Sequence, residues 1–199
     1  ICTDTGMNLL EPGDTPYENA QFLTFLCAVI KAVDEYQDLL RISVASAGND
    51  HRLGALEAPP AVISMFLGDE LTEILQAIEQ DKPYGGKEKE LLKIGVHTLP
   101  RFPKDTTDRN RTSPFAFTGN KFEFRMLGSA ASIAEPNTVL NTVVAEELCR
   151  FADELEGASD FEGALHTLIR RVITEHSRIL FNGNGYDQAW IAQAKQRGL

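Results

Sequence analysis

The segment Lys121-Phe122-Glu123-Phe124-Arg125 alternates charged and aromatic residues with a period of two, the period of an extended strand. Such a strand sets Glu123 and Arg125 on one face, roughly 6 to 7 Å apart, with Phe122, Phe124 and Met126 on the other. A carboxylate beside a guanidinium can hold a divalent cation together with the phosphate which that cation neutralises. The pattern equally suits a solvated strand face, and this segment alone leaves both readings open. The neighbouring Asp108-Arg109-Asn110-Arg111-Thr112-Ser113 offers fixed cationic donors for phosphoryl oxygens, and read by itself is also an ordinary surface loop.

A third candidate runs from Asn49 to Pro60. Gly54 gives this stretch freedom, while Pro59 and Pro60 stiffen its exit. Arg52 near the start can grip a substrate carboxylate, and Glu57 near the end can accept a proton. Alone, both read as solvent-exposed charges. His51 can be a ligand, although a hydrogen-bonded structural histidine is the simpler reading.

The elements that must carry these residues are mostly helical. Thr15-Pro16-Tyr17-Glu18 reads as a capping box, followed by Phe22, Leu26, Val29, Ile30 and Val33 at helical spacing. A second helical stretch is expected from Tyr36 to Ala47, stopping at Gly48-Asn49, with a polar loop over 48–58. Further helices are expected from the prolines at 59–60 and after Asp69. Gly85-Gly86 marks a break, and 100–112 has the composition of an irregular, locally basic loop. Phe115–Thr118 and Lys121–Met126 flank Gly119-Asn120 as two strands of a hairpin. From Asn137 the pattern is helical again through Leu155, Asp160 can cap another helix, Asn182–Gly185 is a turn, and a last short helix holds Trp190. The expected class is α+β, rich in helix with a small antiparallel β element.

Composition sets the outer bounds. The chain has 199 residues, 43% of them hydrophobic and 24% charged, enough for one substantial core. A net charge of -10 argues against bulk attraction to nucleic acid or to an anionic membrane surface. Cys2, Cys27 and Cys149 form no metal-binding spacing and are expected to be reduced thiols in the cytoplasm. The apolar run at 23–33 is interrupted by Thr24 and Lys31 and is too short for a membrane span. The chain starts at Ile1 rather than Met, so it is expected to be a piece of something longer.

Three segments together, Asn49 to Pro60 (NDHRLGALEAPP), Asn110 to Arg125 (NRTSPFAFTGNKFEFR) and Asn182 to Tyr186 (NGNGY), resemble, in that order, stretches of type III glutamine synthetases. Leu9 to Pro16 and the helix after it are similar to that family too, so the resemblance covers nearly the whole chain. It implies that residues 1–199 are the C-terminal part of a catalytic domain, with a helical region at its end and the upstream part absent. It implies ligation of ammonia to L-glutamate at the expense of ATP, through an acyl phosphate, with Mg²⁺ or Mn²⁺, in a dodecamer of stacked rings. By resemblance, Glu123 is a metal ligand, Arg125 approaches the phosphoryl group and substrate, and Arg52 binds glutamate. Arg111 binds the ATP phosphates, and Glu57 closes the site and takes a proton from ammonium. The family's other metal ligands lie upstream, so this chain alone is expected to form no glutamine. Two positions depart from the pattern: Ala116 stands where other classes carry a second arginine, and Leu56 stands where the type III loop has Asn. A non-catalytic assembly or regulatory module derived from the family is the alternative. A guanidino phosphotransferase is weaker, because it leaves the 49–60 stretch unexplained.

Overall fold

The computed structural model describes residues 1–55, 58–84, 91–92, 102–103 and 110–199. A short 3-10 turn, Pro16–Glu18, precedes helix α1, Ala20–Glu35. The capping residue is Asn19, whose side chain accepts from the Phe22 amide, and Thr15 makes no capping bond. The helix start expected at Thr15 is therefore displaced by four residues, to a simple asparagine cap, at least as good a cap as a threonine. Helix α1 is buried nearly all round, with Phe22, Leu26, Cys27, Ile30 and Val33 each at most 1% exposed. It packs against α5, Ala134–Leu155, and α6, Phe161–His176. Asp160 caps α6 through the Gly163 amide, as the sequence suggests.

Between α1 and α5 the chain departs from the expected pattern in two places. Helix α2, Gln37–Ile42, ends early, and a separate helix α3, Ala47–Arg52, runs through the Gly48-Asn49 pair read as a stop. Ser46 caps α3 through the Asn49 amide, and the buried Asn49 side chain donates to the carbonyls of Val44 and Met126 at 2.7 and 2.9 Å. Those bonds satisfy the polar side chain that otherwise favours a loop. No helix begins at Pro59-Pro60. That stretch leads instead into strand β1, Met65–Phe66, before helix α4, Asp69–Glu79.

The strand pair β2, Leu91–Leu92, and β3, Phe102–Pro103, is antiparallel. The expected hairpin is β4, Phe115–Phe117, and β5, Phe122–Phe124, in the register Phe115↔Phe124, Ala116↔Glu123, Phe117↔Phe122. Gly119 turns it at φ +93°, a conformation that costs a residue with a Cβ. Phe115, Phe117, Phe122 and Phe124 meet at ring separations of 5.2 to 5.7 Å, each such pair adding about 0.5–1.5 kcal/mol beyond area burial. Strand β1 joins β4 in parallel, so the sheet is mixed, in the order β1-β4-β5, where a purely antiparallel element is the sequence expectation. The chain returns after α6 to bridge Leu180 to Met65 on the outer side of β1. Helix α7, Gln188–Gln196, then closes over it with Trp190 stacked on Phe181 at 3.7 Å.

Candidate functional site

The hairpin divides aromatic from charged residues. With the four phenylalanines committed to the core side, Glu123 is left on the opposite face and Arg125 just beyond the end of β5. Arg125 Nε and Nη2 both donate to Glu123 Oε2, at 3.1 and 2.9 Å, and Arg125 Nη1 donates to the Asn110 carbonyl at 2.6 Å. Three of the five guanidinium protons are thereby used, and two remain for an anionic ligand. The Glu123 side chain is 44% exposed, and its Oε1 makes no hydrogen bond or ion pair with a described residue. A half-exposed carboxylate with one oxygen free suits a hard divalent cation. Among the described residues no three His, Cys, Asp or Glu side chains gather.

Arg52 reaches the same place from the last turn of α3. Its Nε donates to Asn49 Oδ1 at 3.0 Å and its Nη2 to the Met126 carbonyl at 2.9 Å, which leaves three N–H groups to grip a carboxylate. Arg52 thus ends a helix rather than sitting in the expected open loop. His51 is exposed on that helix and makes no side-chain hydrogen bond with a described residue, where the sequence suggests a structural one. Beyond Arg52 the chain is drawn back on itself: Gly54 N donates to the Pro59 carbonyl at 2.9 Å, and Ala58, Pro59 and Pro60 are buried. Leu56 and Glu57 lie outside the described residues, as does Arg109.

Arg111 is exposed and makes no hydrogen bond or ion pair with a described residue, while the residues on either side of it are fixed. Asn110 Oδ1 accepts from the Thr112 amide and hydroxyl at 3.0 and 2.7 Å. Its Nδ2 donates to the carbonyls of Asn182 and Gly183 at 3.1 and 2.7 Å. Gly185 N in turn donates to Thr112 Oγ1 at 2.7 Å, and a Cβ at Gly185 would stand 2.8 Å from the Thr112 carbonyl. The Asn182 side chain faces the other way. Its Oδ1 accepts from the amides of Leu67 and Gly68, and its Nδ2 donates to Gly68 O and Thr72 Oγ1. Asn49, Asn110, Thr112 and Asn182 are the residues the sequence reading leaves without a role. Their signal was the clustering of small polar residues beside the arginines, which looks like ordinary turn chemistry.

A family model described as the glutamine synthetase C-terminal domain matches residues 164–199. Over its full length the chain is 50% identical to the type-3 glutamine synthetase of Dictyostelium discoideum, across 202 residues. It is 48% identical to a glutamine synthetase of Butyrivibrio fibrisolvens and 47% to one of Bacteroides fragilis (strain YCH46), again over all of its length. The chain belongs to the glutamine synthetase family. It spans 28% of the length of each of these relatives.

Within that family, the departure at Ala116 has a structural reading. Ala116 lies directly opposite Glu123 in the hairpin, and directly opposed residues share a face. An arginine at 116 would stand beside Glu123. With alanine there, Arg125 is the one arginine that bonds Glu123 among the described residues.

Proposed function

We propose that this chain is the arginine-bearing C-terminal part of the catalytic domain of an enzyme that joins ammonia to L-glutamate at the expense of ATP. The observation that carries the reading is the convergence of Arg52, Glu123 and Arg125 at the end of one hairpin, with the loop of Arg111 bonded to Arg125 through the Asn110 carbonyl.

In this reading Arg52 binds the glutamate carboxylate, and the free protons of Arg125 together with Arg111 hold the γ-phosphoryl group as it passes to the side-chain carboxylate, releasing ADP. Mg²⁺ or Mn²⁺, with Glu123 as one ligand, neutralises phosphate charge when bound. Glu57 accepts a proton from ammonium. The ammonia so formed attacks the acyl carbon, the C–O bond to phosphate breaks, and glutamine and inorganic phosphate leave. Water must be kept out, because it hydrolyses the acyl phosphate in competition with ammonia. A cytoplasmic homo-oligomer of stacked rings, a dodecamer, is the assembly proposed with it.

The test uses the full-length protein with glutamate, ammonium, ATP and either cation. Equal amounts of glutamine, ADP and phosphate are expected, and Arg125→Ala should abolish most turnover with oligomer size unchanged. A non-catalytic assembly module predicts no glutamine at all, and normal turnover by Arg125→Ala would remove the assignment.

A further inference from the structure

Asn110 has no part in the chemistry above, yet its side chain is bonded at every position beside the arginines. Its carboxamide makes four hydrogen bonds, two given to the Asn182 and Gly183 carbonyls and two received from Thr112. That is the full capacity of an amide in this geometry. Its main-chain carbonyl takes the 2.6 Å bond from Arg125 Nη1. The turn it leans on is itself held from behind, since the Asn182 side chain is bonded to the start of α4.

We propose that Asn110 is a positioning residue for Arg111 and Arg125, with the 182–185 turn as its anchor. The inference builds on the proposed ligase reading and adds a residue that touches neither substrate nor metal. The side chain fixes the backbone on both sides of Arg111, and the carbonyl fixes the edge of the Arg125 guanidinium that Glu123 does not hold. Both arginines face phosphate, whereas Arg52 is held separately by Asn49 and the Met126 carbonyl. Disturbing Asn110 should therefore act on nucleotide and leave glutamate alone, a separation that general loosening of the fold would not produce.

The experiment compares Asn110→Asp and Thr112→Val with the unchanged full-length enzyme. Aspartate keeps the oxygen facing Thr112 but sets a second carboxylate oxygen against two carbonyls. Valine keeps the shape of Thr112 and removes the hydroxyl that joins Asn110 to the Gly185 amide. Each should raise the KM for ATP by about tenfold or more while changing that for glutamate by less than about twofold. ADP affinity by calorimetry should fall in parallel, with oligomer size unchanged. Unchanged nucleotide parameters in both variants overturn the proposal, as does an equal rise in both KM values. Failure of both to assemble at normal size overturns it in favour of a purely structural clamp. If the unchanged enzyme makes no glutamine, the ligase reading fails by itself, and ADP affinity still decides for or against Asn110.

Discussion

Arg52 donates a 2.9 Å hydrogen bond to the main-chain carbonyl of Met126, the residue that follows Arg125. The proposed grip on glutamate, carried by helix α3, is thus tied by this one bond to the end of the hairpin beside Arg125, and not through Asn110. Such a tie suits a transfer between two bound groups, where misplacement by about 1 Å costs orders of magnitude in rate.

Arg52→Ala should raise the KM for glutamate by roughly 10- to 100-fold, the loss of a charge-assisted pair, with a much smaller effect on the KM for ATP. Steady-state kinetics with each substrate varied in turn will measure this. Equal effects on both substrates would point to a structural role for the bond to Met126.

Glu123→Gln keeps the shape of the side chain and removes its charge. The concentration of Mg²⁺ or Mn²⁺ for half-maximal activity should rise by at least about tenfold. Direct Mn²⁺ titration on the full-length protein checks the same point without turnover. Unchanged affinity in both measurements would strip Glu123 of its assigned ligand role.

Glu57→Ala should leave nucleotide binding and ring size intact and slow amide formation by about 10²- to 10⁴-fold, the usual worth of a general base. Water should then compete for the acyl phosphate, so ATP hydrolysis exceeds glutamine formed. Normal, coupled turnover would dispose of the assignment.

A last prediction concerns acid stability and lies away from the site. Glu35 and the fully buried Glu147 share the Lys31 ammonium between α1 and α5, and Arg150 bonds both carboxylates. Burial opposes the charge on Glu35, but the bond and charge of Lys31, with His176 nearby, outweigh it and hold its pKa below the ordinary value. The stability this contributes is complete above about pH 4.3 and is lost as pH falls through the lower folded-state value. Lys31→Met should accordingly flatten the dependence of stability on pH below about 4.3, as read from urea midpoints. An unchanged slope would contradict the coupling.

The hairpin was legible from its period and turn residues, α6 from its Asp160 cap and apolar spacing, and the Asn182 turn from its Asn-Gly residues. The site was less so. Gly48-Asn49 looks like a helix stop until the Asn49 amide is seen to bond Met126, 77 residues away, a contact that no local pattern encodes. Pro59-Pro60 likewise reads as a helix start, but the residues just beyond are drawn into the sheet by pairing with β4. The types of Arg52, Glu123 and Arg125 were visible in the sequence. That Arg125 leans on Glu123 and on the Asn110 carbonyl together was not, because side chains two apart on a strand and a carbonyl fifteen residues upstream meet only in the folded chain.

The Asn110 amide meets the carbonyls of Asn182 and Gly183 across 72 and 73 residues of chain. On a ribosome extending at about 5–20 residues per second, the hairpin has its own sequence in hand roughly three to twelve seconds before the turn that anchors its arginine loop has been made. A nascent chain at that stage contains the whole of β4 and β5 while Arg111 and Arg125 still lack the support of the 182–185 turn. The proposed grip on phosphate in that sense rests on contacts of high sequence separation, which form only after residues 182–185 have been made.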